Sequence, residues 1–106
     1  MANVNHINPK NLHHNPAFTN IVTVEGPHTT VYIGGQNSVN KEGEIVGKGN
    51  LVEQTKLTLQ NLKTAVESVG GELHNIIKWT VYVVAGQKPE VNHAAYKEFF
   101  KLWGNV

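Results

Sequence analysis

A β-branched run, Thr29-Thr30-Val31-Tyr32-Ile33, halts abruptly at Gly34-Gly35-Gln36. Such a run suits an extended strand, because branching at Cβ leaves few rotamers in a helical turn and packs well on a pleated surface. Upstream, Ile21-Val22-Thr23-Val24 has the same character, with Glu25-Gly26-Pro27-His28 between the two. Two strand-like runs around a short Gly/Pro segment predict a β-hairpin. Alternation then puts Val22 and Val24 on one face, with Val31 and Ile33 opposite them, and Thr30, Tyr32 and Gly34 on the other face. Gly34 and Gly35 strip the backbone of side chains where the strand ends, so another group can approach it closely. The same residues also fit a strand that ends in a plain turn.

The region before the hairpin, Met1 to Asn20, is polar and turn-rich, with a short edge strand expected over Val4 to Ile7. His13-His14 lies on this segment. Adjacent residues of an extended chain point to opposite sides, and no carboxylate lies nearby, so solvated loop histidines are expected and no metal. Asn37 to Gly49 reads as a glycine-punctuated loop. Beyond it, Asn50 stands as an N-cap with Glu53 three residues on. Leu51, Thr55, Leu59, Leu62, Val66 and Val69 then recur at steps of three or four, one face of a helix. Lys56, Gln60, Lys63 and Glu67 take the opposite face, with Leu57 a lone apolar residue among them, and Gly70-Gly71 ends the helix.

Ile76 to Val84 reads as the strongest strand. Ile77, Trp79, Val81 and Val83 make one apolar face, and Lys78, Thr80 and Tyr82 a mixed one. A second helix is expected from Pro89 to Trp103. Val91, Ala95, Tyr96, Phe99, Phe100, Leu102 and Trp103 span about half its circumference. So wide an apolar arc predicts a sheet on one flank and a further element or subunit on the other. The order is strand-strand-helix-strand-helix, an α+β chain with two helices on one sheet face.

Composition closes off several function classes. The chain of 106 residues fits one domain, 1–106. It contains no cysteine, which removes disulfides, thiolate nucleophiles and zinc-thiolate sites. All nine basic residues are lysine, dispersed around a net charge of +1, so no basic patch points to nucleic acid. There is no long apolar run for a membrane span and no charged-then-apolar start, which predicts a cytoplasmic protein. Arginine and aspartate are absent altogether.

Taken in order, the chain resembles the Rid (YjgF/RidA) family, the endoribonuclease L-PSP-like proteins. The resemblance is carried by Asn8-Pro9, by Val31-Tyr32-Ile33-Gly34-Gly35-Gln36 and by Gly43-Glu44-Ile45-Val46. Gln54 with Asn61-Leu62, Gly70, Ile77-Lys78-Trp79-Thr80-Val81-Tyr82-Val83, and Asn92 with Tyr96, Phe99 and Phe100 extend it over nearly the whole length. It implies a chorismate-mutase-like α+β fold with a mixed sheet, a homotrimer with pockets between subunits, no cofactor, and often hydrolysis of enamines and imines to ketones and ammonia.

The departures are specific. A typical family member continues past the aromatic helix into two further strands. The first carries an arginine that grips the substrate carboxylate, and the second ends in a glutamate that handles water. This chain stops at Val106 and has no arginine. Gly34 stands where the family has a pocket serine, and Phe18 where it has a pocket tyrosine. The expected substrate-binding set is therefore Phe18, Gly34, Gly35 and Gln36, with no catalytic residue among them. The expected function is binding of a small imine or short carboxylic acid at an inter-subunit pocket. Two alternatives stand beside it: an active 2-imino acid deaminase, if the natural product continues past Val106, and a structural or chaperone-like trimer.

Overall fold

The computed structural model describes residues 2–15 and 19–103. It is an α+β structure, consistent with the fold that the family resemblance implies. The chain divides into two compact units, one within Met1–Tyr32 and the other within Ile33–Gly104.

The first unit is built on a two-stranded antiparallel sheet, β1 (Asn3–Ile7) against β2 (Ile21–Glu25). The register sets Val4 opposite Val24, His6 opposite Val22 and Ile7 opposite Ile21. An asparagine pair closes the ladder just beyond its last rung. Asn8 Oδ1 accepts from the Asn20 backbone N–H at 3.0 Å and from Asn20 Nδ2 at 3.1 Å. Asn20 Nδ2 also donates to the His13 carbonyl at 3.1 Å, which ties the intervening loop to the same point.

This pairing corrects the expected hairpin. The edge strand foreseen over Val4 to Ile7 is the partner of β2, and Thr29 to Gly34 belongs to no ladder among the described residues. Alternation says which face a residue takes, while leaving open which neighbour fills either hydrogen-bonding edge of a strand. Here the Asn8–Asn20 tie fixes β1 to β2. Tyr32, meanwhile, is 93% exposed.

In the second unit α1 (Leu51–Ser68) and α2 (Pro89–Trp103) pack on each other, and a 3-10 turn, Leu73–Asn75, touches both. α1 starts as foreseen: Asn50 is extended, and its side chain accepts from the Glu53 N–H at 3.1 Å, satisfying one of the orphan donors of a helix start. It ends in a Schellman arrangement. The Gly71 N–H reaches the Val66 carbonyl at 2.9 Å and the Gly70 N–H the Glu67 carbonyl at 3.0 Å, with Gly70 at φ +85°. The next turn is held reciprocally by Glu72 and Asn75, whose Oδ1 accepts the Glu72 N–H at 2.8 Å.

Leu59 is the centre of the core, 1% exposed, with Val66, Leu73 and Ala95 around it. Of the face expected on α1, Val69 lies outside the core, because it is the C-cap and points away as the chain leaves the helix. On α2, Tyr96 is largely exposed but meets Phe100 edge-on, with ring centroids 4.7 Å apart. The side chains of Leu102 and Trp103 lie outside the described residues.

Ile76 to Val84 also departs from expectation. Among the described residues it forms no ladder, and Ile77, Val81, Tyr82, Val83 and Val84 are exposed. Trp79, half-buried as Ile76 is, turns inward. Its ring meets Phe99 of α2 edge-on, with centroids 4.6 Å apart. A β-branched run is extended by preference, but a strand exists only where a second strand accepts its hydrogen bonds.

Candidate functional site

Gly34, Gly35 and Gln36 lie together on an exposed stretch at the start of the second unit. A Cβ built on either glycine would meet no described residue within 4 Å, so the backbone is open to an approaching group. Gln36 folds back, its Nε2 donating to the Gly34 carbonyl at 3.3 Å. Among the described residues the N–H groups of Gly34, Gly35 and Gln36 make no hydrogen bond. Three successive donors and one side-chain amide are thus presented on a segment without bulky neighbours. Phe18, the fourth residue of the expected set, lies outside the described residues.

The chain immediately after this stretch is held firmly. Asn61, midway along α1, donates through Nδ2 to the carbonyls of Asn37 and Val39, each at 3.0 Å. Ser38, only 6% exposed, donates from Oγ to the Val46 carbonyl at 2.6 Å, and the Val46 N–H returns a bond to the Ser38 carbonyl at 2.9 Å. Val39 and Ile45 form an antiparallel bridge. The tip of this small loop is organised by Asn40, whose Oδ1 accepts the N–H groups of Glu42 at 3.0 Å and Glu44 at 2.9 Å. Its Nδ2 lies 3.2 Å from Glu44 Oε1.

Chemically the stretch can offer hydrogen bonds to a small oxygen- or nitrogen-bearing ligand. Neither the glycines nor Gln36 can act as acid or base. Glu44, a carboxylate of the loop that follows, is engaged with Asn40 at the loop tip. Among the described residues, no three His, Cys, Asp or Glu side chains gather as a metal site would require. No described helix is long and apolar enough to cross a membrane.

Sequence reasoning picked out the exposed residues and passed over those that hold them. Ser38 gave no signal, being a serine in a loop. Asn61 did give one. Asparagine is a poor residue for a helix interior, and one in the middle of a strong helix has a side chain engaged elsewhere.

The family model described as endoribonuclease L-PSP matches residues 12–104. A RutC family protein of Pyrococcus abyssi is 35% identical over 71 residues, covering 66% of this chain and 55% of its own. The 2-iminobutanoate/2-iminopropanoate deaminases of mouse and human are 28% and 26% identical over 72 residues, 68% of this chain and 53% of each. The chain thus spans about half the length of the curated relatives it matches. No solved structure matches it.

Proposed function

This chain belongs to the endoribonuclease L-PSP (YjgF/RidA) family, and from that premise we propose that it binds a small imine or short carboxylic acid at Gly34-Gly35-Gln36. The observation that carries the proposal is the open backbone of the double glycine, with three N–H groups unengaged among the described residues. A 2-imino acid is small, planar and anionic. Backbone N–H donors suit its carboxylate, and the Gln36 amide can donate to one of its atoms while accepting from another. The names of the mouse and human relatives, 2-iminobutanoate/2-iminopropanoate deaminase, support that ligand class.

Hydrolysis of such an imine adds water to the C=N carbon, expels ammonia and leaves the 2-oxo acid. It needs a placed water and a group that moves protons to nitrogen. The 106 residues contain no arginine to fork onto the carboxylate, and the Gly34–Gln36 stretch has no proton-moving side chain. Binding is therefore the reading for this chain, and deaminase activity requires groups supplied from beyond it. We place the site in a homotrimer. The apolar residues exposed along Ile77–Val84 support this, since burying them against a neighbour would stabilise it by about 25 cal/mol per Å².

Titration of the ¹⁵N-labelled chain with 2-oxobutanoate, a stable carbonyl analogue of 2-iminobutanoate, tests the reading. Saturable shifts centred on the Gly34, Gly35 and Gln36 amides are expected, and Gly34→Leu should abolish them by filling the open space. Uniform or absent shifts at millimolar ligand would overturn it.

A further inference from the structure

We propose that Asn61 of α1 is the positioning residue of this ligand site, an inference that rests on the small-molecule reading above. The stretch that would meet the ligand has little to hold it. Gly34 and Gly35 have no side chains, and among the described residues nothing lies within 4 Å of their would-be Cβ atoms and Gln36 bonds back to Gly34 alone. Two consecutive glycines sample more conformations than any other pair, and that freedom must be given up when a ligand is bound. Something must restrict it from outside.

The restriction begins at the next residue. The Asn61 amide spends both of its hydrogens on backbone carbonyls, one on each side of Ser38: Asn37 and Val39, each at 3.0 Å. The carbonyls flanking Ser38 are thereby turned toward α1, while the Ser38 hydroxyl points to the opposite limb of the loop and bonds the Val46 carbonyl at 2.6 Å. With the Asn37 carbonyl fixed from a helix, only the dihedrals of Gln36 and Asn37 separate the anchored turn from Gly35. The double glycine is thus suspended from a rigid point at one end.

The geometry is chemically selective. Only a side chain with two hydrogens on one nitrogen, at asparagine length, can serve both carbonyls from this turn of the helix. Aspartate has the same shape and no donor, and would set a negative charge against two carbonyl oxygens. Asn61 need not touch the ligand. It acts by ordering the backbone that does, which explains why a weak helix former is placed at the middle of α1.

The test compares the ¹⁵N-labelled wild-type chain with Asn61→Asp, and with Gln60→Ala, a control at the neighbouring exposed position of the same helix. Backbone ¹⁵N relaxation without ligand reads the order of Gly34–Gln36 through its order parameters, and a 2-oxobutanoate titration reads affinity. Asn61→Asp should lower the order parameters of Gly34, Gly35 and Gln36 and weaken 2-oxobutanoate binding about tenfold or more. Order parameters in the second half of α1 should not change, and Gln60→Ala should resemble the parent. Ser38→Ala loosens the same turn without touching α1 and should give the same pattern, which covers the case of an Asn61 variant that fails to fold.

Wild-type affinity retained in Asn61→Asp, or unchanged order parameters at Gly34–Gln36, would overturn the positioning role. A wild-type chain that does not titrate, in which Asn61→Asp still loosens Gly34–Gln36, would overturn the ligand reading and support the positioning role alone.

Discussion

Replacing Gly47 with alanine should destabilise this chain clearly more than the same change at Gly43. Both glycines sit in the left-handed region, at φ +75° and +84°. An L residue there costs about 1–2 kcal/mol. The loss of unfolded-state freedom that accompanies any Gly→Ala change is the same at both positions and cancels in the comparison. The surroundings differ. A Cβ on Gly43 meets nothing within 4 Å, whereas one on Gly47 meets Glu53 Cβ and Cγ at 3.1 Å and Cδ at 3.3 Å. Carbon atoms settle at about 3.5–4.0 Å, so the contact must be relieved.

Glu53 cannot yield freely. It sits in the first turn of α1, where its N–H is held by Asn50 Oδ1 at 3.1 Å, and the Asn50 N–H in turn bonds the Gly47 carbonyl at 2.8 Å. Relief comes either from turning Glu53 off its rotamer, about 0.5–1.5 kcal/mol, or from loosening the cap, about 1 kcal/mol. Gly47→Ala should therefore lose about 0.5–1.5 kcal/mol beyond Gly43→Ala. Urea denaturation followed by far-UV circular dichroism measures both. Adding Glu53→Ala removes two of the three contacts and should recover part of the excess, a coupling that a double-mutant cycle isolates. Equal losses in Gly47→Ala and Gly43→Ala, within about 0.5 kcal/mol, would refute the reasoning.

The remaining predictions concern the helical unit. Leu59→Ala should cost about 2–5 kcal/mol, a large part of the roughly 5–15 kcal/mol available to a small domain, because Leu59 is the most deeply buried side chain; a drop under about 1 kcal/mol in urea unfolding would show that the site is not packed. Asn50→Ala should lose about 1 kcal/mol and Asn50→Asp should keep most of the stability, since aspartate also caps; equal losses in thermal melts would deny the cap its role. Phe99→Leu should cost about 0.5–1.5 kcal/mol beyond its lost area and red-shift Trp79 emission, read in a Trp103→Phe background; unchanged emission would separate the two rings in solution.

The helices were legible in the sequence because their signals are local. Asn50 with Glu53, the three-and-four spacing of Leu51 to Val66, Gly70-Gly71 and Pro89 each act within one or two turns, and each is found where expected. The exposed part of the candidate site was legible for the same reason, as Gly34, Gly35 and Gln36 are neighbours in the chain. Strand pairing was not. The run Ile21–Glu25 announces an extended conformation, but its partner is chosen by contacts distant in sequence, and the Asn8–Asn20 tie selects β1 rather than Thr29–Gly34. Ile76–Val84 has the composition of a strand and, without a ladder among the described residues, is joined to α2 by the Trp79–Phe99 contact. The partners of Asn61 and Ser38 were equally hidden, because they lie 22 to 24 positions away in one case and across a loop in the other. Composition and periodicity determine what each segment prefers to be. Only tertiary structure decides which segments meet, because a hydrogen bond between distant residues leaves no periodic trace in either of them.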